Sequence, residues 1–237
     1  MTRRLSRQFR RLLPHLAAVL VLGLCVQLAL WQVERAGQKQ VLIDQWESAP
    51  AGVLADFESL EHFARASGQG RFDPQRHVLL DNQVRQNHPG VHVFTPFALP
   101  DGEVVMVNRG WQPWDRRAGR FPEFETPDSP LLITGRVSEP PRVGFQLGTA
   151  MPLDPESWPN LMTYYDTDLI ASALGVNLAD RVLLLEPDHP AHLSGDAWPT
   201  VNMGPERHIG YAVQWASIGS AVLLIWIFLT YKSWRRT

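Results

Sequence analysis

The chain has a single cysteine, Cys25, in 237 residues. An intrachain disulfide is therefore excluded, as are thioredoxin-like exchange and a thiolate copper relay, each of which needs at least two thiols. Charge is missing from two long stretches: Leu12 to Trp31 and Ile209 to Phe228 hold no Asp, Glu, Lys or Arg over 20 residues each. Carboxylates are missing from both ends, where Arg3, Arg4, Arg7, Arg10 and Arg11 precede the first stretch and Lys232, Arg235 and Arg236 follow the second. There is no Ser/His/Asp order, no phosphate-cradling glycine loop and no HExxH helix. The 24 carboxylates show no spacing that would pair them for acid–base work. These absences point away from an enzyme. The charge pattern also points away from a nucleic-acid role, because the basic residues outside the loop lie in tails rather than on a folded patch.

What is present is a topology. Twenty apolar residues make a helix of roughly 30 Å, the thickness of a bilayer's hydrocarbon core. The sequence therefore predicts five parts: a basic tail (1–11), a transmembrane helix (12–31), one extramembrane domain (32–207), a second transmembrane helix (209–228) and a second basic tail (229–237). Residues 32–207 carry 14 basic and all 24 acidic residues. Short basic tails stay cytoplasmic while a long loop translocates largely regardless of its charge. Both termini are expected inside and the domain outside. The first run is longer than a signal-peptide core and no A-x-A site follows it, so an uncleaved anchor is expected. Leu22-Gly23-Leu24-Cys25 makes a poor lipoprotein box, because Leu stands directly before the Cys. The Arg-rich start is similar to a mitochondrial presequence, but 11 residues leave it little room. A bacterial inner membrane is the simpler reading, with the domain in the periplasm.

About 175 residues suffice for one self-sufficient core. Residues 32–62 read as a juxtamembrane segment, helical through Trp46 and again from Val53 to Ala64. From Gly70 the pattern turns to strands: His77–Val84, Val91–Leu99 and Glu103–Trp111, divided by Asn87-His88-Pro89-Gly90 and Pro100-Asp101-Gly102. That is an antiparallel meander, joined by strands at Leu131–Val137 and Val182–Glu186. Pro113–Pro130 is a long polar loop with Arg116, Arg117 and Arg120. Asp166–Gly175 reads as a short helix with Asp166 as cap and Gly175 as stop. The expected fold class is two transmembrane α-helices flanking one mainly antiparallel, barrel-like β domain of α+β character.

Candidate site residues cluster at the outer membrane face. His208 stands at the mouth of the second span, after Pro205 and Glu206, which suit a first helical turn. It is either an interfacial polar residue or an axial donor to haem iron, for which an imidazole on a membrane helix is well suited. Gln27 and Gln214 fall in the same leaflet, roughly 6 to 9 Å from the outer helix ends. Two amides at one depth can hydrogen-bond across the pair, for around 1 kcal/mol, or line a ligand crevice. Ala212, Ala216 and Ser220 recur every four residues and offer a small-residue face for helix packing. Trp31, Tyr211 and Trp215 fit an aromatic belt. Asp188, His189 and His192 form a D-H-x-x-H cluster, and His88 and His92 flank a turn; neither group has a third ligand at metal spacing.

Four motifs in chain order carry a resemblance. They are Leu30-Trp31-Gln32-Val33-Glu34-Arg35 with Lys39, Leu80-Asp81-Asn82-Gln83-Val84 leading to Pro89-Gly90, Val107-Asn108-Arg109-Gly110-Trp111 with Pro113, and Glu206-Arg207-His208-Ile209-Gly210-Tyr211-Ala212-Val213-Gln214-Trp215. Together they closely resemble the Surfeit locus protein 1 (Shy) family, assembly factors of cytochrome c oxidase. The chain departs from that pattern at Ala216-Ser217, where the family continues with a bulky Phe, and over residues 48–68.

The resemblance implies a non-enzymatic factor that assists insertion of haem a into the catalytic subunit of an aa3-type oxidase. It implies haem a as cargo and His208 as its iron ligand. Its implied partners are oxidase subunit I, other oxidase assembly factors, haem a synthase and the lipid bilayer. Arg207 and Arg109 are candidate partners for haem propionates, and Gln27, Gln214, Trp215 and Tyr211 are candidates to line the crevice. Asn108-Arg109-Gly110-Trp111 reads equally as a strand end, a turn and a core Trp. The alternative is a membrane-tethered periplasmic binding or sensor domain without haem chemistry, although the short tails leave no room for an output module.

Overall fold

The computed structural model describes residues 2–141, 148, 151–194 and 196–235. Arg236 of the second tail lies outside them, as do the side chains of the five arginines of the first. The chain divides into two compact units, one of residues 1–45 with 199–237 and one of residues 46–198.

The first unit is a pair of helices. Helix α1 runs Thr2–Ser48 and helix α3 runs Pro205–Trp234, opened by Pro205 at its first position. Both pass the length and hydropathy expected of membrane spans, and only 11% of each apolar window is buried. Leu16, Leu20 and Leu24 on α1 and Leu224, Ile225 and Phe228 on α3 are all more than half or nearly half exposed. A two-helix hairpin with that much bare hydrocarbon requires lipid as its solvent. This is a membrane protein with two transmembrane helices. At 47 residues, α1 is roughly 70 Å long, more than twice the bilayer core, so its C-terminal third projects beyond the span. The helix through Trp46 is as expected and ends two residues later.

Covered positions on the two helices repeat at alternating steps of three and four. On α1 they are His15, Ala18, Leu22, Cys25, Ala29 (with Leu28 beside it), Gln32, Ala36 and Lys39; on α3, His208, Ala212, Trp215, Gly219, Val222 and Trp226. This is the heptad seam of a left-handed antiparallel pair. Gln32 faces His208, Cys25 faces Gly219, and His15 faces Trp226. The small-residue face expected at Ala212, Ala216 and Ser220 is corrected here. Ala216 and Ser220 are exposed, and the close approach falls on Gly219, because a 3.5-residue repeat leaves a strict step of four after one turn.

The second unit is a β domain. Its strands are β1 (Ala51–Val53), β2 (Arg65–Phe72), β3 (Val78–Arg85), β4 (His88–Ala98), β5 (Val104–Pro113), β6 (Leu131–Ser138), β7 (Asn160–Met162) and β8 (Val182–Leu185), with helix α2 (Thr167–Leu174) between β7 and β8. The sheet order is β1-β2-β6-β8-β5-β4-β3-β7, and β2 also pairs with β4. That extra pairing closes β2, β6, β8, β5 and β4 into a five-stranded barrel. All its pairs are antiparallel except β5 with β8. The β3-β4-β5 meander is as the turn signals predicted. The first turn, however, is Gln86-Asn87, both at positive φ, while His88, Pro89 and Gly90 already belong to β4. Such a two-residue turn matches the twist of a hairpin.

Alternation along the strands sorts the core into layers. Val105, Val107, Leu183, Leu185, Ile133 and Val137 point into the barrel with Phe72 and Phe97. Met106, Val182, Phe94 and Val78 point out, beneath Ile170 and Leu174 of α2. Helix α2 is capped by the Asp166 carboxylate on the Leu169 N–H and stopped by Gly175 at φ 70°. Two expectations are corrected. Strand structure begins at Ala51 with the short β1 and resumes at Arg65 with β2, ahead of the expected Gly70. The helix expected over Val53–Ala64 is only a 3-10 segment, Leu54–Ser59, whose Leu54 and Phe57 are buried in the barrel cluster.

Candidate functional site

The strongest polar feature of the helical pair is a buried histidine. His208 and Gln32 are each 9% exposed, and His208 Nδ1 lies 2.8 Å from Gln32 Oε1. An amide oxygen can only accept, so Nδ1 carries the ring proton and donates it. Nε2 then bears the lone pair. That atom is buried and has no hydrogen-bond partner among the described residues. Ala36 and Ala212, also buried, are the small neighbours one turn along each seam. A neutral imidazole with an unspent lone pair, its other nitrogen anchored, has the form of a metal-ligating histidine.

The other residues expected around His208 separate by exposure. Trp215 is half-buried on the seam, while Arg207 and Tyr211 are exposed beside it in the first turns of α3. Gln27 and Gln214 are both exposed and face away from the seam. The amide pair expected across the helices is therefore corrected: the polar contact is made by Gln32 with His208. Gln32 was missed because it lies one residue past the charge-free run. The signal was available, since His208 stands one residue before the second run, and antiparallel spans bring those two edges to one level.

Asn108, Arg109, Gly110 and Trp111 lie on β5, inside the β domain. The Arg109 side chain is fully buried and spends its donors inward: Nε on Ala191 O at 3.0 Å, Nη1 on Thr126 Oγ1 at 2.5 Å, and Nη2 on Glu125 O at 2.6 Å. Its guanidinium lies over the Phe72 and Phe124 rings, at 5.3 and 5.7 Å from their centroids. Burial pulls its pKa down to about 10. Asn108 Oδ1 accepts from the Gly110 N–H at 3.1 Å and lies 3.3 Å from His92 Nδ1. The Trp111 indole donates to Gln83 O at 2.8 Å. These contacts all lie within the β domain, and the fully buried Arg109 has no donor edge turned outward for a propionate.

Among the described residues, no three His, Cys, Asp or Glu side chains converge on a metal site. His189 of the D-H-x-x-H cluster lies 3.1 Å from Leu132 O through Nε2 and accepts from the Ala191 N–H through Nδ1. His88 Nδ1 lies 2.9 Å from Gln86 O at the hairpin turn.

A closed β-barrel domain inserted between two lipid-facing helices, with a buried histidine at the head of the second, defines a class: membrane-anchored barrel proteins with a polar helix-pair site. Comparison with known proteins places the chain within it. The SURF1 family model matches residues 19–220, and the chain belongs to this family. It is similar to a SURF1-like protein of Monosiga brevicollis, at 29% identity over 89% of this chain and 85% of that one. It is similar also to a SURF1-like protein of Rickettsia felis, at 22% over 92% and 96%. A SURF1-like protein of Drosophila melanogaster is 24% identical over 84% and 71%.

Proposed function

We propose that this protein is a non-enzymatic assembly factor of an aa3-type cytochrome c oxidase that holds haem a for insertion into the catalytic subunit. Membership of the SURF1 family supports the oxidase-assembly role. The observation that carries the haem reading is the buried, unpartnered Nε2 of His208. Leaving such an atom unsatisfied costs on the order of 1–3 kcal/mol, a cost that a metal bond removes. Haem a is cargo here, with His208 supplying an axial nitrogen. Arg207, exposed one residue away, is the proposed partner of a propionate at the membrane interface. Trp215 and Tyr211 flank the same face of α3.

The proposed orientation follows from the basic tails. Arg3, Arg4, Arg7, Arg10 and Arg11 at one end and Lys232, Arg235 and Arg236 at the other keep both termini in the cytoplasm. The β domain and His208 then face the periplasmic side of a bacterial inner membrane. Oxidase subunit I is the receiver, and haem a synthase and other assembly factors are neighbours in the handover.

The test is the absorption spectrum of the full-length protein purified from cells making haem a. Wild type is expected to carry a haem a spectrum and His208→Ala to lose it. An unchanged spectrum in His208→Ala defeats the ligand assignment. Deleting the gene is expected to lower aa3-type oxidase absorbance with other cytochromes intact; normal oxidase content would sink the assembly role.

A further inference from the structure

We propose that Gln32 is a positioning residue for the haem-iron ligand, setting the tautomer and donor strength of His208 from the opposite helix. The proposal rests on the haem a reading above. The 2.8 Å contact from His208 Nδ1 to Gln32 Oε1 puts hydrogen on Nδ1, and in the neutral ring that leaves the lone pair on Nε2. Without an acceptor at Nδ1 the ring is free to place its proton on Nε2, and that tautomer cannot bind a metal through Nε2. Both side chains are about nine-tenths buried, so water does not readily replace the amide. The bond also stops rotation of the ring and fixes the orientation of Nε2, as outer-shell partners of ligating histidines do.

The reach of Gln32 is set by the helix pair. Gln32 and His208 are one rung of the seam on which Cys25 meets Gly219 and His15 meets Trp226. Donor strength at Nε2 therefore depends on α1 and α3 staying in register. The acceptor is also a neutral amide rather than a carboxylate. A carboxylate would draw the Nδ1 proton more strongly and make the ring a more anionic, tighter ligand. An amide gives an oriented ligand of moderate strength, which suits cargo that must be surrendered.

Two measurements on the full-length protein in detergent test this. The first uses apoprotein labelled with 15N-histidine and long-range proton–nitrogen NMR, with the His208 signal assigned by its absence in His208→Ala. Wild type and Gln32→Glu are expected to hold the proton on Nδ1, and the near-isosteric Gln32→Leu to lose that preference. The second is haem a loading. Gln32→Leu is expected to weaken haem a binding about 10- to 100-fold, while Gln32→Glu keeps haem a and lowers its midpoint potential. An Nε2–H tautomer in wild type overturns the proposal, as does wild-type affinity and spectrum in Gln32→Leu. If His208→Ala loses haem a while Gln32→Leu keeps it unchanged, the positioning role falls and the haem reading stands. If His208→Ala keeps its haem a spectrum, the haem reading falls and the positioning role falls with it.

Discussion

The Trp226 indole N–H donates to Nδ1 of His15 across the helix pair at 2.9 Å, at the opposite end of the seam from Gln32 and His208. The rings meet edge to face, with centroids 6.0 Å apart. Two polar rungs thus pin the register of a seam that is apolar or small between them. Hydrocarbon gives no hydrophobic drive for helix pairing, so packing and such bonds decide it.

Trp226→Phe keeps the ring and removes the donor. The expected loss is about 0.6–2 kcal/mol of helix-pair stability. A double-mutant cycle with His15→Phe, read by unfolding in detergent, should return that value as coupling. Gln27→Leu and Gln214→Leu, which change exposed positions, should shift stability by less than about 0.5 kcal/mol. Zero coupling between His15 and Trp226, or a large effect at Gln214, would contradict the seam.

A second check uses the close approach at Gly219. A Cβ built there would stand 3.2 Å from Cys25 Cβ. Disulfide bridges span about 3.5–4.5 Å between Cβ atoms, so a small adjustment suffices. Gly219→Cys is expected to cross-link α1 to α3 on oxidation. The readout is proteolysis within the β domain followed by a non-reducing gel. Fragments that stay joined until reduced support the register; fragments that separate without reductant refute it.

Legibility varied with the kind of signal. The strands of the meander, β6, β8 and α2 were readable because alternation, turn residues and the Asp166 and Gly175 ends all agree. Strand β2 was not, because Arg-Ala-Ser-Gly-Gln-Gly-Arg-Phe offers only Ala66 and Phe72 as apolar residues. It is a strand because the barrel closes over it. A side chain at Gly70 would strike the Ala98 carbonyl and the Phe97 ring on β4. That requirement is tertiary and leaves no periodic trace. His208 was visible as a candidate from its place beside a span. Its partner Gln32 carries no such mark by itself and becomes legible only when the edges of the two runs, rather than the amides inside them, are matched in depth.

Arg109 offers a test of the barrel. Arg109→Met keeps most of the volume and leaves Ala191 O, Glu125 O and Thr126 Oγ1 without their donor. Unsatisfied buried acceptors cost on the order of 1–3 kcal/mol each, so a loss of about 3–5 kcal/mol is expected. Arg109→Lys should recover only part, because an ammonium lacks the planar fork that reaches three acceptors. Near-UV circular dichroism during thermal unfolding measures both. A Met variant as stable as wild type would show that the guanidinium is not what joins β5 to the 125–126 and 191 segments.

His77 makes the β domain sensitive to acid. The ring is buried, with Nε2 3.2 Å from Pro74 O and Nδ1 3.0 Å from Thr95 Oγ1. The carbonyl can only accept, so Nε2 donates to it and Nδ1 accepts from the Thr95 hydroxyl; the neutral ring is satisfied at both nitrogens. Burial, reinforced by the Arg109 charge, pushes its pKa down to about 4. His192 is pushed down to about 4 by burial and then by the charges of His92 and Arg109, and His92 is lowered by its burial. At His77 and His192 the unfolded chain takes up its proton near pH 6.5, whereas the folded chain resists until about pH 4. Between those values the unfolded state binds more protons, so stability is fully present above about pH 6.5 and declines as pH falls toward 4. His77 alone accounts for up to about 3 kcal/mol of that decline. Melting of the full-length protein in detergent should show a transition temperature that is flat from pH 8 to 7 and falls below 6.5. In His77→Gln the fall should be shallower, even though the variant starts from a lower plateau. An identical slope in the variant would mean that His77 takes up its proton in the folded state as readily as in the unfolded one.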